Sequence, residues 1–122
     1  MSVPNRRLHF RHTSCGPGRH ASLTAEEEQE LGRRIINEDC ESSRQRIIDA
    51  HRHLVVVIAD MYAGRGVRIA DLIEVGDHGL RSAAKAFDPA EGARFSMLAH
   101  WWIKQAMKRA ILDARRHVRI SA

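Results

Sequence analysis

From residue 23 onward the apolar positions of this chain recur at helical spacing, whereas residues 1–22 show no such period. Those first residues mix Pro4, Gly16, Pro17 and Gly18 with serines and arginines, which predicts a flexible tail. Thr24-Ala-Glu-Glu27 then matches a capping box, in which a threonine hydroxyl and a glutamate satisfy each other's orphan backbone amides. The acids that follow sit at the positive end of the helix dipole. The helix is expected to run to about Ile36, with Asn37 able to end it.

A second helix is predicted from near Glu41–Ser43 to Tyr62, where Ile47, Ile48, Leu54, Val55, Ile58, Ala59 and Tyr62 follow a period near 3.6. Val55-Val56-Val57 is β-branched and would suit a buried strand, but the long flanking helical pattern decides for helix. Gly64-Arg65-Gly66 turns the chain. A third helix carries Ile69, Leu72, Ile73, Gly76, Leu80, Ala83, Ala84 and Phe87 on one face, and Asp88-Pro89 stops it. Gly76 and Gly79 each cost about 1 kcal/mol against Ala inside a helix, so close approach of a neighbouring element is their expected reason.

The last helix, from about Ser96 to Arg116, has a buried stripe of Phe95, Leu98, Ala99, Trp102, Ile103, Ala106 and Ala110. Trp101, Lys104, Gln105, Lys108, Leu112 and Arg115 fall on a different face. The adjacent tryptophans point about 100° apart, so Trp102 is expected to be structural and Trp101 to lie at the surface among cations. The whole reads as an all-α fold, a bundle of about four helices, with residues 23–122 as one domain behind the tail.

Composition narrows the classes. The 122 residues suit one domain, and a hydrophobic content of 43% is ordinary for a globular chain. The longest apolar run, Leu54–Ala59, is far short of the roughly 20 residues that span a bilayer, and the N-terminus has no apolar signal region. No membrane role is expected. Cys15 and Cys40 cannot make a disulfide framework, so the default location is cytoplasmic with free thiols.

Charge changes the picture more than composition does. The chain carries +5 overall, from 20 Lys and Arg against 15 Asp and Glu. Residues 1–22 hold four arginines and no acid; residues 23–41 hold seven acids against two arginines. Residues 42–93 balance, and residues 94–122 hold seven bases against Asp113 alone. A basic end of this kind favours an acidic partner, nucleic acid first. Trp101 beside Lys104, Lys108 and Arg109, with Gln105 between, suits that partner. Cations neutralise phosphates, an indole stacks on an unpaired base, and a Gln amide reads a base edge. The same pattern also fits a solvated basic face with Trp101 lying on a neighbouring loop.

Other chemistry is thin. His9, His12, Cys15 and His20 match no standard zinc spacing, so no metal or cofactor is expected. His51 and His53 have no carboxylate or nucleophile at suitable spacing, and no phosphate loop, nucleophile elbow or HExxH motif occurs. An enzyme has nothing to rest on.

Four ordered blocks, LTAEEEQELGRRI, HLVVVIADMYAGRG, DLIEVGDHGLRSAAKAFDP and FSMLAHWWIKQAMKRAI, resemble the sigma-70 family of bacterial RNA polymerase sigma factors. The likeness runs from about Leu23 to Ile120, the end of region 1 and nearly all of region 2. It implies two surfaces. Asp71, Leu72, Glu74, Asp77 and Arg81 lie on the segment that docks onto the clamp coiled coil of the polymerase large subunit. Arg94, Phe95, Trp101, Trp102, Lys104, Gln105, Lys108 and Arg109 form the expected DNA-binding set. Within it, the aromatics open the −10 promoter element and Gln105 reads its upstream edge.

The implied partners are therefore core RNA polymerase and −10-type single-stranded promoter DNA. A sigma regulator is the partner in an alternative reading, a protein-interaction module that does not touch DNA. Departures bear on this choice. Pro89, Ala93, Met97 and Leu98 stand where Tyr, Tyr, Thr and Tyr are usual, and Lys108 where a base-contacting Thr is usual. Glu74, Val75, Asp77 and Arg81 replace Gln, Glu, Asn and an apolar residue; His51 and Asp60 replace Asn and a basic residue. The family continues into regions 3 and 4 beyond Ser121-Ala122, so the expectation is a stand-alone region 2 domain with reduced melting ability.

Overall fold

The computed structural model describes residues 23–121, with side chains described to His117. Those residues form five α-helices and no strand: α1 (Ala25–Glu38), α2 (Glu41–Ala50), α3 (Arg52–Met61), α4 (Ile69–Ala86) and α5 (Phe95–Ser121). A single 3-10 turn, Pro89–Glu91, joins α4 to α5. The expected tail, and with it His9, His12, Cys15 and His20, lies outside the described residues.

The capping box forms as its chemistry dictates. Glu27 N–H donates to Thr24 Oγ1 at 3.1 Å, and Thr24 N–H donates to Glu27 Oε1 at 2.9 Å. The helix runs two residues past Ile36 and ends at Asp39, which takes the left-handed conformation (φ 48°) that helix C-termini use.

The second predicted helix is two helices, because His51 breaks it. The His51 backbone N–H donates to the Ile48 carbonyl at 3.0 Å, one residue short of the α-helical partner. Its ring nitrogen Nδ1 lies 2.8 Å from the Ile47 carbonyl, the group that N–H would otherwise have reached. A side chain has replaced the backbone donor, which is an identifiable cause of a kink. The break lets α3 turn Val55, Ile58 and Ala59 inward, leaving Val56 and Val57 exposed.

The core runs through Ile47 and Ile48 of α2, Val55 and Ile58 of α3, Leu72 and Leu80 of α4, and Phe95, Ile103 and Met107 of α5. Helices α4 and α5 approach closely at the glycines. A Cβ on Gly79 would lie 2.7 Å from the Trp102 carbonyl oxygen, and one on Gly76 would lie 2.6 Å from Met107 Cε. Each glycine's helix cost is thus offset by close packing of the two helices. That contact fixes the rotation of α5 and decides which of its faces remains outside.

Candidate nucleic-acid interface

With Ile103 and Met107 held against α4, the opposite face of α5 is left to solvent. Trp101 is 55% exposed. Trp102 is half-buried against the core and meets Trp101 edge-on, ring centroids 5.5 Å apart. The two roles expected for the tandem tryptophans are therefore separated as their 100° offset requires.

Trp101 stands between two grooves. One, of about 630 Å³, lies between α3 and α5 and is lined by Leu54, Ser96, Met97, His100 and Lys104. The other, of about 740 Å³, lies between α4 and α5 and is lined by His78, Ser82, Trp102, Arg109, Leu112 and Arg116. Trp101, Gln105 and Lys108 line both. Five of the eight expected DNA-binding residues (Trp101, Trp102, Gln105, Lys108 and Arg109) thus line a single groove, and Lys104 lines its neighbour.

This face gathers unpaired cations, with Arg116 paired to Asp113 at 3.6 Å at its far end. Among the described residues, Lys104, Lys108, Arg109 and Arg115 have no carboxylate within 4.0 Å. Arg33, Arg34, Arg44, Arg52, Arg68, Arg81 and Arg94, all outside α5, are ion-paired. An unpaired cation beside an exposed indole can meet a phosphate and a base together, at no cost of breaking an internal pair.

Arg94 and Phe95 are not on that surface. Phe95 is fully buried, edge-on to His51 at 4.7 Å and to Phe87 at 5.3 Å. Arg94 donates from Nε to Glu28 Oε1 at 3.0 Å and from Nη2 to Glu28 Oε2 at 3.1 Å and the Leu23 carbonyl at 3.0 Å. Hydrogen bonding to Glu28 raises the Arg94 pKa above its ordinary value, and the charge is spent on α1.

The expected polymerase-docking residues lie along α4. Leu72 is fully buried in the core, so its side chain is not part of the exposed face. Asp71 is paired with Arg68 at 3.1 Å, and Asp77 with Arg81 at 3.2 Å and Arg52 at 3.9 Å. Glu74 is exposed and, among the described residues, has no cation within 4.0 Å. No group of His, Cys, Asp and Glu among the described residues is placed to hold a metal ion.

His51, expected to be a surface histidine without a carboxylate nearby, is instead buried with Nε2 3.7 Å from Glu28 Oε2. Glu28 is legible in the sequence only as one of the acids of the first turn. Glu28 shares its register with Leu31, Gly32 and Ile35, the buried residues of α1. A carboxylate on the apolar stripe was the available signal.

Residues 47–117 match the family described as Sigma-70 region 2. The chain is similar to the RNA polymerase sigma factor SigA of Bacillus sp, at 47% identity over 103 residues, which is 84% of this chain and 27% of that protein. It is likewise similar to SigA of Lactococcus lactis subsp. cremoris, at 43% identity over 105 residues, 84% of this chain and 29% of that one. The chain thus spans less than a third of the length of these curated relatives. A family match over the helices that build the core and the Trp101 face, with relatives of this identity, makes the chain a member of the sigma-70 region 2 family.

Proposed function

We propose that this protein is a sigma-factor-like transcription protein that joins core RNA polymerase to −10-type single-stranded promoter DNA. Its relatives are named as RNA polymerase sigma factors, which supports the polymerase half of the reading. The DNA half rests on one observation, the unpaired cations of α5 set around exposed Trp101. Lys104, Lys108 and Arg109 neutralise phosphates, Trp101 stacks on an unpaired base, and Gln105 reads a base edge. Docking uses the Asp71–Arg81 face of α4, with the clamp coiled coil as the implied surface. The role is binding, with no catalysis assigned, and its place is beside the polymerase in the cytoplasm. No helix among the described residues is long and apolar enough to cross a membrane.

Melting is expected to be weak. Ala93 and Leu98 offer no ring where the family has tyrosines, and a base leaving the duplex needs a stacking surface to offset the lost stacking. The test is capture of core polymerase by the tagged chain, followed by transcription from a template with only a −10 element. Capture with little transcription is the expected result. Capture without any binding of single-stranded DNA would favour the second reading, a protein module acting on polymerase or a sigma regulator. No capture and no DNA binding would defeat both.

A further inference from the structure

We infer that Glu28 is a positioning residue for the DNA-facing helix, holding the first turn of α5 from α1, and that His51 is set to loosen this hold on taking up a proton. The functional half of this inference rests on the DNA reading above.

Helix α5 begins without a cap of its own kind. The residue before it is Arg94, whose side chain has no acceptor for the orphan amides of the first turn. Glu28 supplies one from 67 positions away, its Oε1 accepting the Phe95 N–H at 3.0 Å. The same carboxylate accepts two of the three Arg94 bonds and is only 2% exposed. Charge-assisted bonds in such a setting are strong, and a buried carboxylate that lost them would be costly. Phe95 is thereby pinned in the core. Six residues further on, about 9 Å along the axis, Trp101 emerges between its two grooves.

His51 closes the arrangement. Its Nδ1 faces the Ile47 carbonyl, which can only accept, so Nδ1 carries the proton and Nε2 of the neutral ring has only a lone pair. Nε2 lies 3.7 Å from Glu28 Oε2 and makes no bond in that form. Once protonated, Nε2 becomes a donor facing Oε2, and its positive charge opposes the Arg94 guanidinium that shares the same carboxylate. The charged and titratable groups facing the ring are Glu28 from α1, Arg94 from the turn before α5, and His53 from α3. Burial is the main force holding the ring below its ordinary pKa, so it is neutral at pH 7 and charges under acid conditions.

The test compares the wild-type chain, Glu28→Gln and His51→Asn for binding of a labelled −10-type single strand by anisotropy at pH 7.5 and at a lower pH, the most acidic at which helix content is still retained. Helix content is followed by circular dichroism. Glu28→Gln, with helix content retained, should weaken binding about fivefold at pH 7.5. Between the two pH values the wild type should lose about threefold relative to His51→Asn, a comparison that cancels the charging of other histidines. Equal binding by Glu28→Gln and wild type would overturn the positioning role. Parallel pH curves for wild type and His51→Asn would overturn the proton-dependent step, and that arm decides alone if Glu28→Gln does not fold. No binding by the wild-type chain at either pH would overturn the DNA reading itself.

Discussion

Helices α4 and α5 pack along one another yet differ in their charges: Asp71 and Asp77 of α4 are ion-paired, while most of the described cations of α5 are not. On α4, Asp71 is paired with Arg68, and Asp77 with Arg81 and Arg52. On α5, Lys104, Lys108, Arg109 and Arg115 have no acidic neighbour within 4.0 Å among the described residues. The paired face presents a surface of low net charge that a protein partner can approach. The unpaired face can meet an anion without breaking an internal pair, and it also exposes Met97, Trp101 and Leu112. The difference teaches that total charge is a poor guide to this molecule. What distinguishes α5 is that, Arg116 beside Asp113 apart, Lys104, Lys108, Arg109 and Arg115 have no acid to hold among the described residues.

The contrast depends first on the rotation of α5. Gly79→Leu should break it outright, because its Cβ would meet the Trp102 backbone, which cannot swing aside as a side chain can. A loss of about 3 kcal/mol or more is expected from urea unfolding. Next comes the charge itself. Lys104→Ala with Lys108→Ala should weaken single-strand binding at least about tenfold and reduce the slope of log K against log salt by about 1.4. The matching double variant on α4, Asp77→Ala with Arg81→Ala, should leave that slope unchanged. Titration across a salt series checks both.

A smaller effect separates the buried junction from either surface. The folded pKa of His51 lies below its ordinary 6.5, so the unfolded chain takes up that proton first. Its contribution to stability is then fully present above about pH 6.5 and declines as the pH falls below it. Unfolding free energies at pH 7 and pH 5 should therefore differ less for His51→Asn than for the wild type. Smallest of all, Arg81→Ala alone should change stability by no more than about 0.5 kcal/mol, since its partner Asp77 is also near Arg52 and the pair is open to solvent.

Much of this was readable from residue order, for reasons that are local. The Thr24–Glu27 box, the close approach at Gly76 and Gly79, and the outward Trp101 beside the inward Trp102 all follow from spacing along one helix. The stripe of α5 was read slightly off centre. It included Ala106 and Ala110, which are half-buried, and missed Met107 and Ile111, which are buried. Gly76 of α4 makes room for Met107 beside the expected Ile103, a space that spacing along α5 alone does not reveal. The break at His51 was hidden for a similar reason. A histidine in helical register gives no warning that its ring will take the Ile47 carbonyl. Glu28 joins residues 66 and 67 positions away, a contact that no spacing along one helix reveals, whereas the burial of Phe95 follows from its place on the apolar stripe.

Trp101 gives the most direct test, because the chain has two tryptophans and Trp102→Phe leaves it as the only one. Its fluorescence is followed while a −10-type single strand is added at low salt and again at rising salt. Quenching that saturates at low salt and moves to higher DNA concentration as salt increases is the predicted result. An emission that never changes, with the variant folded and the salt low, would contradict the assignment of this face to DNA.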